Sequence, residues 1–283
     1  MVASAGLSSY GNATAVGAAL PVEIIGGLPI AVIDRASSAR LMTDVAAARR
    51  NLHKPALVFT SANGHVLSMC ASASDIRQLF VDADLIHADG MPLVFASRLK
   101  CSAPLPERVA TTDLFHDVAP LAEASGVSFY LLGGTRPVIE QAVHNVKQRY
   151  PQLTIAGFRH GYSRRYDDEA NVIADISAAR PDILWVGMGA PVEQAFSSRA
   201  AKQLANVGVI KTSGGLFDFL AGKNRRAPAW MQSAGLEWLH RAAIEPRRLL
   251  LRYLTTNPHA LYLLLTSPSQ AVPAGREPSR TVY

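Results

Sequence analysis

The sequence predicts an α/β fold: a doubly wound, mostly parallel sheet with helices on both faces, extended by a helical, basic C-terminal appendage. Three observations predict it. Between Ser128 and Lys211, short apolar runs alternate with helical patterns. Paired glycines follow three of these runs, at Gly133-Gly134, Gly187-x-Gly189 and Gly214-Gly215. From Ala227 onward the strand pattern stops, and Trp230, Leu236, Trp238 and Leu239 recur among arginines. The first two are features of the Rossmann-like class.

The elements follow in order. Pro21 to Ile33 reads as a hairpin turning at Gly26-Gly27, and Ala-rich Ser37 to Arg49 as a helix. Ala56 to Phe59 is a buried strand, with Thr60-Ser61-Ala62-Asn63-Gly64 as the loop after it. Val66 to Met69 and Ile76 to Val81 have helical or mixed pattern. Leu85 to His87 is a short strand that Asp89-Gly90-Met91-Pro92 breaks. Asp113 to Ser125 is a helix stopped by Gly126. Ser128 to Leu132 is a strand, and Pro137 to Arg149 a helix with proline in its first turn. Gln152 to Gly157, Asp182 to Val186 and Val207 to Lys211 are strands, separated by helices over Asp168 to Ala179 and Val192 to Leu204.

Composition agrees. The 283 residues are 49% hydrophobic and 18% charged, which suits a globular chain with a sizeable core. The expected organisation is a flexible tail over 1–20, an α/β core over 21–226, a membrane-docking appendage over 227–266 and a disordered tail over 267–283. Two cysteines, Cys70 and Cys101, are too few for a disulfide framework and suit a reducing cytosol. No basic n-region precedes the early apolar stretch, so no signal peptide is expected, and Pro21, Glu23 and Pro29 make that stretch a poor membrane span. The net charge is +6, and Gly222 to Tyr253 alone carries seven basic residues against Glu237 and Glu245, a net +5. Such a local excess suits a phosphate-rich partner: nucleic acid, anionic lipid or a diphosphate.

Chemistry is expected beyond the carboxyl ends of the strands, where open α/β sheets bind ligands. Glycine turns there let backbone N–H groups approach a phosphate, although any tight turn also needs glycine. Neither a dinucleotide fingerprint nor a Walker pattern is present: Val192 stands where the third glycine of Gly187-x-Gly189 would fall. Asp89, after a short strand, reads either as a general base or as an ordinary Asp-Gly turn. Thr60 and Asn63 read as sugar- or phosphate-binding groups or as a helix cap. His87, His116 and His160 are isolated and fit core or surface roles. Asp167-Asp168 reads as a helix start, and no acidic pair stands near the nucleotide turns.

These segments resemble the WecG/TagA/CpsF family of bacterial glycosyltransferases. The resemblance runs from Pro21 to Tyr253. It is carried by Thr60-Ser-Ala-Asn63, Ala88-Asp-Gly-Met-Pro92, Arg108-Val-Ala-Thr-Thr-Asp113, Phe129-Tyr-Leu-Leu-Gly-Gly134, Val186-Gly-Met-Gly-Ala-Pro191 and Gly214-Gly-Leu-Phe-Asp218, with Arg226-Ala-Pro228, Leu236-Glu-Trp-Leu-His-Arg241 and Pro246-Arg247-Arg248 behind them. It implies an inverting, metal-independent transfer from a UDP-sugar to a polyprenyl-diphosphate-linked sugar in surface polysaccharide synthesis: exopolysaccharide, capsule or teichoic-acid type. It implies Asp89 as base, with Thr60 and Asn63 by the sugar. Arg108, Asp113, Gly133, Gly134, Gly187, Gly189, Gly214, Gly215 and Asp218 would bind substrate. Arg226, Arg241, Arg247, Arg248 and Arg252 would meet the diphosphate or the membrane. Two positions depart from the family pattern: Thr111 stands where a glycine is usual, and Glu193-Gln194 reverses a Gln-Glu pair, leaving open which of the two meets the substrate.

The implied setting is the cytoplasmic face of the cell membrane, held peripherally on anionic lipid, with no cofactor and no nucleic acid. Proteins of this resemblance form dimers or trimers, and nothing in the sequence selects a homo-oligomer. Two rival readings stand beside it. One is a nucleotide-dependent oxidoreductase, which the sheet pattern permits; the other is a basic nucleic-acid-binding protein, which the +5 segment permits.

Overall fold

The computed structural model describes residues 20–161, 166–269 and 271–272, without the side chains of 166–168, 248 and 272. The expected tail over 1–20 falls almost wholly outside the described residues, as do the side chains of Asp167, Asp168 and Arg248.

The chain opens on the expected hairpin, β1 (Val22–Ile25) and β2 (Leu28–Ala31), paired antiparallel through Gly26 and Gly27. Helix α1 (Arg35–Arg49) is capped by Asp34, whose carboxylate accepts from the Ser37 N–H at 2.7 Å. The core continues as β3 (Leu57–Ala62), α2 (Gly64–Ser72), α3 (Ser74–Val81), β4 (Leu85–Ala88), α4 (Met91–Lys100) and α5 (Thr111–Ser125). Next come β5 (Phe129–Gly133), α6 (Arg136–Arg149), β6 (Ile155–Arg159), α7 (Tyr166–Ala179) and β7 (Ile183–Gly187). Helix α8 (Val192–Ala201), β8 (Val209–Thr212) and the single-turn α9 (Leu216–Leu220) complete it. Six strands form one parallel sheet in the order β4-β3-β8-β7-β5-β6.

The two-residue period of a strand sorts the core into two layers. Leu57, Phe59, Phe129, Leu131, Ile183, Trp185 and Val209 face α1, α5, α6 and α9. Val58, Tyr130, Leu132, Leu184, Val186 and Ile210 face α7 and α8. The sheet is therefore covered on both sides, which is what its near-continuous apolar strands require. A third cluster joins the hairpin to α2, α3 and α4.

Four local expectations are corrected. Thr60 to Ala62 belongs to β3 rather than to a loop, because Phe59 to Ala62 pairs in register with Leu85 to Ala88 of β4. Asp89-Gly90-Met91-Pro92 breaks the strand but also starts α4; Pro92 lies in its first turn, where a missing N–H leaves no helical bond unmade. Strand β6 begins three residues later than expected, after a turn in which the Leu153 N–H meets the Tyr150 carbonyl at 3.2 Å. Within the segment expected to be loose after Ser267, β9 (Ala271–Val272) pairs antiparallel with β1.

The appendage comprises α10 (Ala229–Ser233), α11 (Glu237–Ile244) and α12 (Pro246–Thr266). One stripe of α12 is buried: Leu249, Tyr253, Ala260 and Leu264. Tyr253 stacks edge-on to Trp238 of α11, with centroids 5.8 Å apart. A Cβ on Gly64 would lie 3.2 Å from the Ala260 Cβ, so glycine lets α2 and α12 approach closely. Lys100 caps the far end of α12, its Nζ donating to the carbonyls of Leu264, Leu265 and Ser267 at 3.1, 2.9 and 2.5 Å.

Candidate active site

The carboxyl ends of β3, β4, β8, β7 and β5 line one edge of the sheet, and Thr60, Asn63, Asp89 and the three glycine turns lie at or just beyond those ends. Strand alternation divides its polar groups into two networks, one on each face.

On the α8 face, Thr60 is fully buried, with 0% exposure. Its hydroxyl lies 2.8 Å from that of Thr212 and accepts from Gln194 Nε2 at 3.1 Å. Glu193 is also buried. Its carboxylate accepts from the N–H groups of Met188 (3.1 Å) and Gly189 (2.9 Å), and from Gly214 at 2.9 and 3.1 Å. One side chain on α8 thus ties the β7 turn to the β8 turn. Burial pushes the Glu193 carboxyl up from its ordinary pKa, and the three N–H donors oppose that.

In the ligand-free chain, three N–H groups of the glycine turns already have partners. The N–H groups of Gly189 and Gly214 are occupied by Glu193, and that of Gly134 by the Gly187 carbonyl at 3.2 Å. Gly133 and Gly187 answer to packing: a Cβ on Gly133 would meet the Gly187 oxygen at 2.2 Å, and one on Gly187 would meet the Phe217 ring at 2.7 Å. Gly215 is exposed beside Arg241, whose Nη2 would lie 3.8 Å from a Cβ placed there.

On the other face, Asp89 follows β4 and is partly exposed. Its Oδ2 accepts from the Thr111 hydroxyl at 3.2 Å and from the Thr111 N–H at 3.4 Å. Burial pushes its carboxyl pKa up, Glu237 adds to the rise, and Lys211 and Arg108 oppose it. A carboxyl poised above its usual range at the mouth of a sheet edge is a suitable general base. Asn63, exposed just after β3, lies close in space, its Cβ 3.7 Å from where a Cβ on Gly90 would stand, and its Oδ1 accepts from the Val66 N–H at 3.2 Å to cap α2.

The appendage reaches over this edge through ion pairs. Arg108 donates to Glu237 Oε2 and to Gln232 Oε1, both at 2.5 Å. Arg226 donates to Asp113 Oδ2 and Gln232 Oε1, both at 2.9 Å, and lies 3.4 Å from Glu237. The Arg226 and Arg241 guanidiniums stand over the Phe219 ring of α9, 5.9 and 5.6 Å from its centroid. Asp218, on the same helix, accepts from Lys223 at 2.9 Å. Arg108, Asp113, Arg226 and Arg241 therefore gather where the core meets the appendage. Arg252 turns instead to Tyr253, lying 5.0 Å over its ring, and toward His65, whose pKa falls to about 4 through burial and then this charge. Arg247 is exposed at the start of α12.

Four contributors escaped the sequence reading. Gln232 carried no motif, and Glu237 was given no role although it lies within Leu236-Glu-Trp-Leu-His-Arg241. Ser61 was passed over between Thr60 and Asn63. Lys211, fully buried on β8, had one signal: a lone charge at an inward position of an apolar strand. The isolated histidines are structural as expected. His87 is buried and 2.5 Å from the Ser38 hydroxyl, and His116 lies 2.9 Å from the Tyr150 hydroxyl.

Asp89 and the gathered guanidiniums lie at the carboxyl edge of a Rossmann-like core, and the comparisons with known proteins give the class: a group-transfer enzyme. The group is a sugar: residues 22–271 match the Glycosyl transferase WecG/TagA/CpsF family, and the chain belongs to it. Among its relatives is the N-acetylglucosaminyldiphosphoundecaprenol N-acetyl-beta-D-mannosaminyltransferase of Staphylococcus aureus (strain NCTC 8325 / PS 47), 31% identical over 194 residues, covering 68% of this chain and 74% of that protein. The Bacillus subtilis (strain 168) protein of the same name is 30% identical over 207 residues, covering 73% and 78%.

Proposed function

We propose that this glycosyltransferase moves N-acetylmannosamine from a UDP donor to the N-acetylglucosamine of a polyprenyl-diphosphate acceptor, with inversion, without a metal ion and at a membrane surface. The names of the two bacterial relatives support the donor sugar and the acceptor. The observation that carries the chemistry is Asp89: a partly exposed carboxyl, raised by burial, with Arg108 opposing that rise.

Asp89 takes the proton of the acceptor hydroxyl. That oxygen bonds to the anomeric carbon while the bond from this carbon to the UDP oxygen breaks. Attack opposite the leaving group inverts the centre. Charge then develops on the departing diphosphate, where Arg226 and Arg241 stand over Phe219 and Arg108 closes the rim. In the ligand-free arrangement Asp113 and Glu237 hold Arg108 and Arg226, so the diphosphate would exchange places with these carboxylates.

The membrane reading rests on α12. Leu250, Leu251, Leu254, Leu261, Tyr262 and Leu265 are all exposed, Leu251 at 73%. At about 100° per residue they share one stripe roughly 120° wide, with Arg247 at its start. The helix is thus apolar on a second, open face, and basic residues beside an anionic surface contribute about 1 kcal/mol each. No described helix is long and apolar enough to cross a membrane, so contact is through this face.

The test is a panel of UDP-sugars with a synthetic lipid-diphosphate-N-acetylglucosamine, run in EDTA and read by product mass and anomeric configuration. Addition of one N-acetylhexosamine with inversion is expected from UDP-N-acetylmannosamine. Transfer of a different sugar would replace the donor assignment, and dependence on added metal would remove the metal-free step.

A further inference from the structure

Lys211 has no part in the chemistry above, yet it places a charged side chain wholly inside the core. It is 0% exposed, and the strand register places it beside Phe59 and Trp185. An ammonium in such a place needs partners that accept. Its Nζ donates to Ser61 Oγ and to the Thr212 carbonyl, both at 2.8 Å. Ser61 Oγ lies 3.2 Å from Thr111 Oγ1, and Thr111 Oγ1 lies 3.2 Å from Asp89 Oδ2.

Proton counting fixes the direction of every bond. An ammonium only donates, and an ionised carboxylate only accepts. Thr111 therefore gives its one hydroxyl proton to Asp89. Its oxygen then accepts from Ser61, and the Ser61 oxygen accepts from Lys211. We infer that Lys211, Ser61 and Thr111 form a polarised relay that positions Asp89, engaging Oδ2 so that Oδ1 meets the acceptor hydroxyl. This inference rests on Asp89 being the base. It adds three positioning residues from three elements: β8, β3 and the first turn of α5.

The surrounding charges fit. Glu193 from α8 and Asp89 itself are the anions that face Lys211, and burial lowers the Lys211 pKa to about 8 against their pull. His87 on β4, opposite Ser61 in register, stays neutral because burial holds its pKa well below the usual value. Arg108 and Glu237 approach Asp89 from the appendage side with opposite effects. The relay reaches the Asp89 carboxylate itself, whereas the Asp89 main chain is held separately, its N–H donating to the Ala62 carbonyl of β3 at 2.8 Å.

The test compares wild type with Thr111→Val, Ser61→Ala and Thr111→Ser across pH. Thr111→Val removes the donor hydroxyl at nearly constant volume. Its kcat is expected to fall about tenfold near neutrality, with the acid limb moving up by about one pH unit because the carboxylate loses a donor. KM for the donor sugar should hold within about twofold, since the relay touches only the base. Ser61→Ala should move the limb the same way by less, and Thr111→Ser should restore it. An acid limb unchanged in Thr111→Val overturns the relay. Independently of turnover, the Asp89 carboxyl can be titrated by carbon NMR in the ligand-free protein. An upward shift in Thr111→Val supports the relay even if wild type transfers no UDP-sugar, which would sink the function instead. Equal titration in the two proteins sinks the relay even if transfer is found.

Discussion

The carboxyl edge of the sheet and the C-terminal appendage are both polar, but they use their charges differently. At the sheet edge, Glu193 and Lys211 are buried, and each has several partners that the chain itself supplies. Thr60 and Gln194 are closed on each other in the same way. In the appendage, Arg247 is exposed and the apolar stripe of α12 faces outward. The first region meets most of its polar needs within the chain, with Gln194 Oε1 and Ser213 Oγ left without a partner among the described residues, and the second turns charge and apolar surface outward. The cluster of Arg108, Arg226, Arg241, Asp113, Gln232 and Glu237 joins the two.

On that contrast, the largest effect comes from Asp89, the sheet-edge carboxylate proposed as the base. Asp89→Asn keeps shape and removes basicity. Turnover should fall roughly 10²–10⁴-fold with the melting temperature nearly unchanged. Near-wild-type turnover would mean that the base lies elsewhere and that the sheet edge is merely structural.

A second effect should appear in stability rather than in chemistry. Glu193→Ala removes the acceptor shared by the Met188, Gly189 and Gly214 N–H groups. Leaving buried donors unpaired costs about 1–3 kcal/mol each, less whatever water recovers. A loss of about 3 kcal/mol in urea unfolding is expected. Unchanged stability would show that the two turns hold themselves, and would return their N–H groups to the role of phosphate cradle.

The comparison also explains what the sequence could reveal. Alternation of Leu57, Val58 and Phe59, or of Ile183, Leu184 and Trp185, reads directly as a two-faced sheet, because the strand period is a local property. The pattern around Asp89 left a base and an ordinary Asp-Gly turn open, because both want a carboxylate beside glycine after an apolar run; only the family resemblance singled it out. The Glu193-Gln194 reversal was visible, but its outcome was not: which of two neighbours turns toward Gly214 depends on where α8 sits against β8. Thr111 stood out only as a departure from the family's glycine, and its meaning needed Ser61 and Lys211, fifty and one hundred residues away along the chain. Gln232 was hidden for the same reason, and so was the pairing of Glu237 with Arg108 and Arg226, since polar contacts across an interface leave no spacing signature.

The smallest effect tests the open half of the contrast. Leu251 is among the most exposed large apolar residues of the chain, and it shares the α12 stripe with Leu254 and Leu265. Leu251→Ala should leave folding stability within about 0.5 kcal/mol, because no packed neighbour is lost. In flotation with anionic liposomes it should weaken binding roughly tenfold, since a few methylenes at about 0.8 kcal/mol each no longer enter the acyl boundary. Transfer to a short-chain, water-soluble acceptor should be unaffected while transfer on vesicles falls. A loss of stability without a loss of flotation would place the stripe inside the folded unit. A change in oligomeric state instead would give the face to a second copy of the chain. Because Lys100 and Ala260 already fix the opposite side of α12 to the core, the substitution separates what holds the helix from what the helix holds.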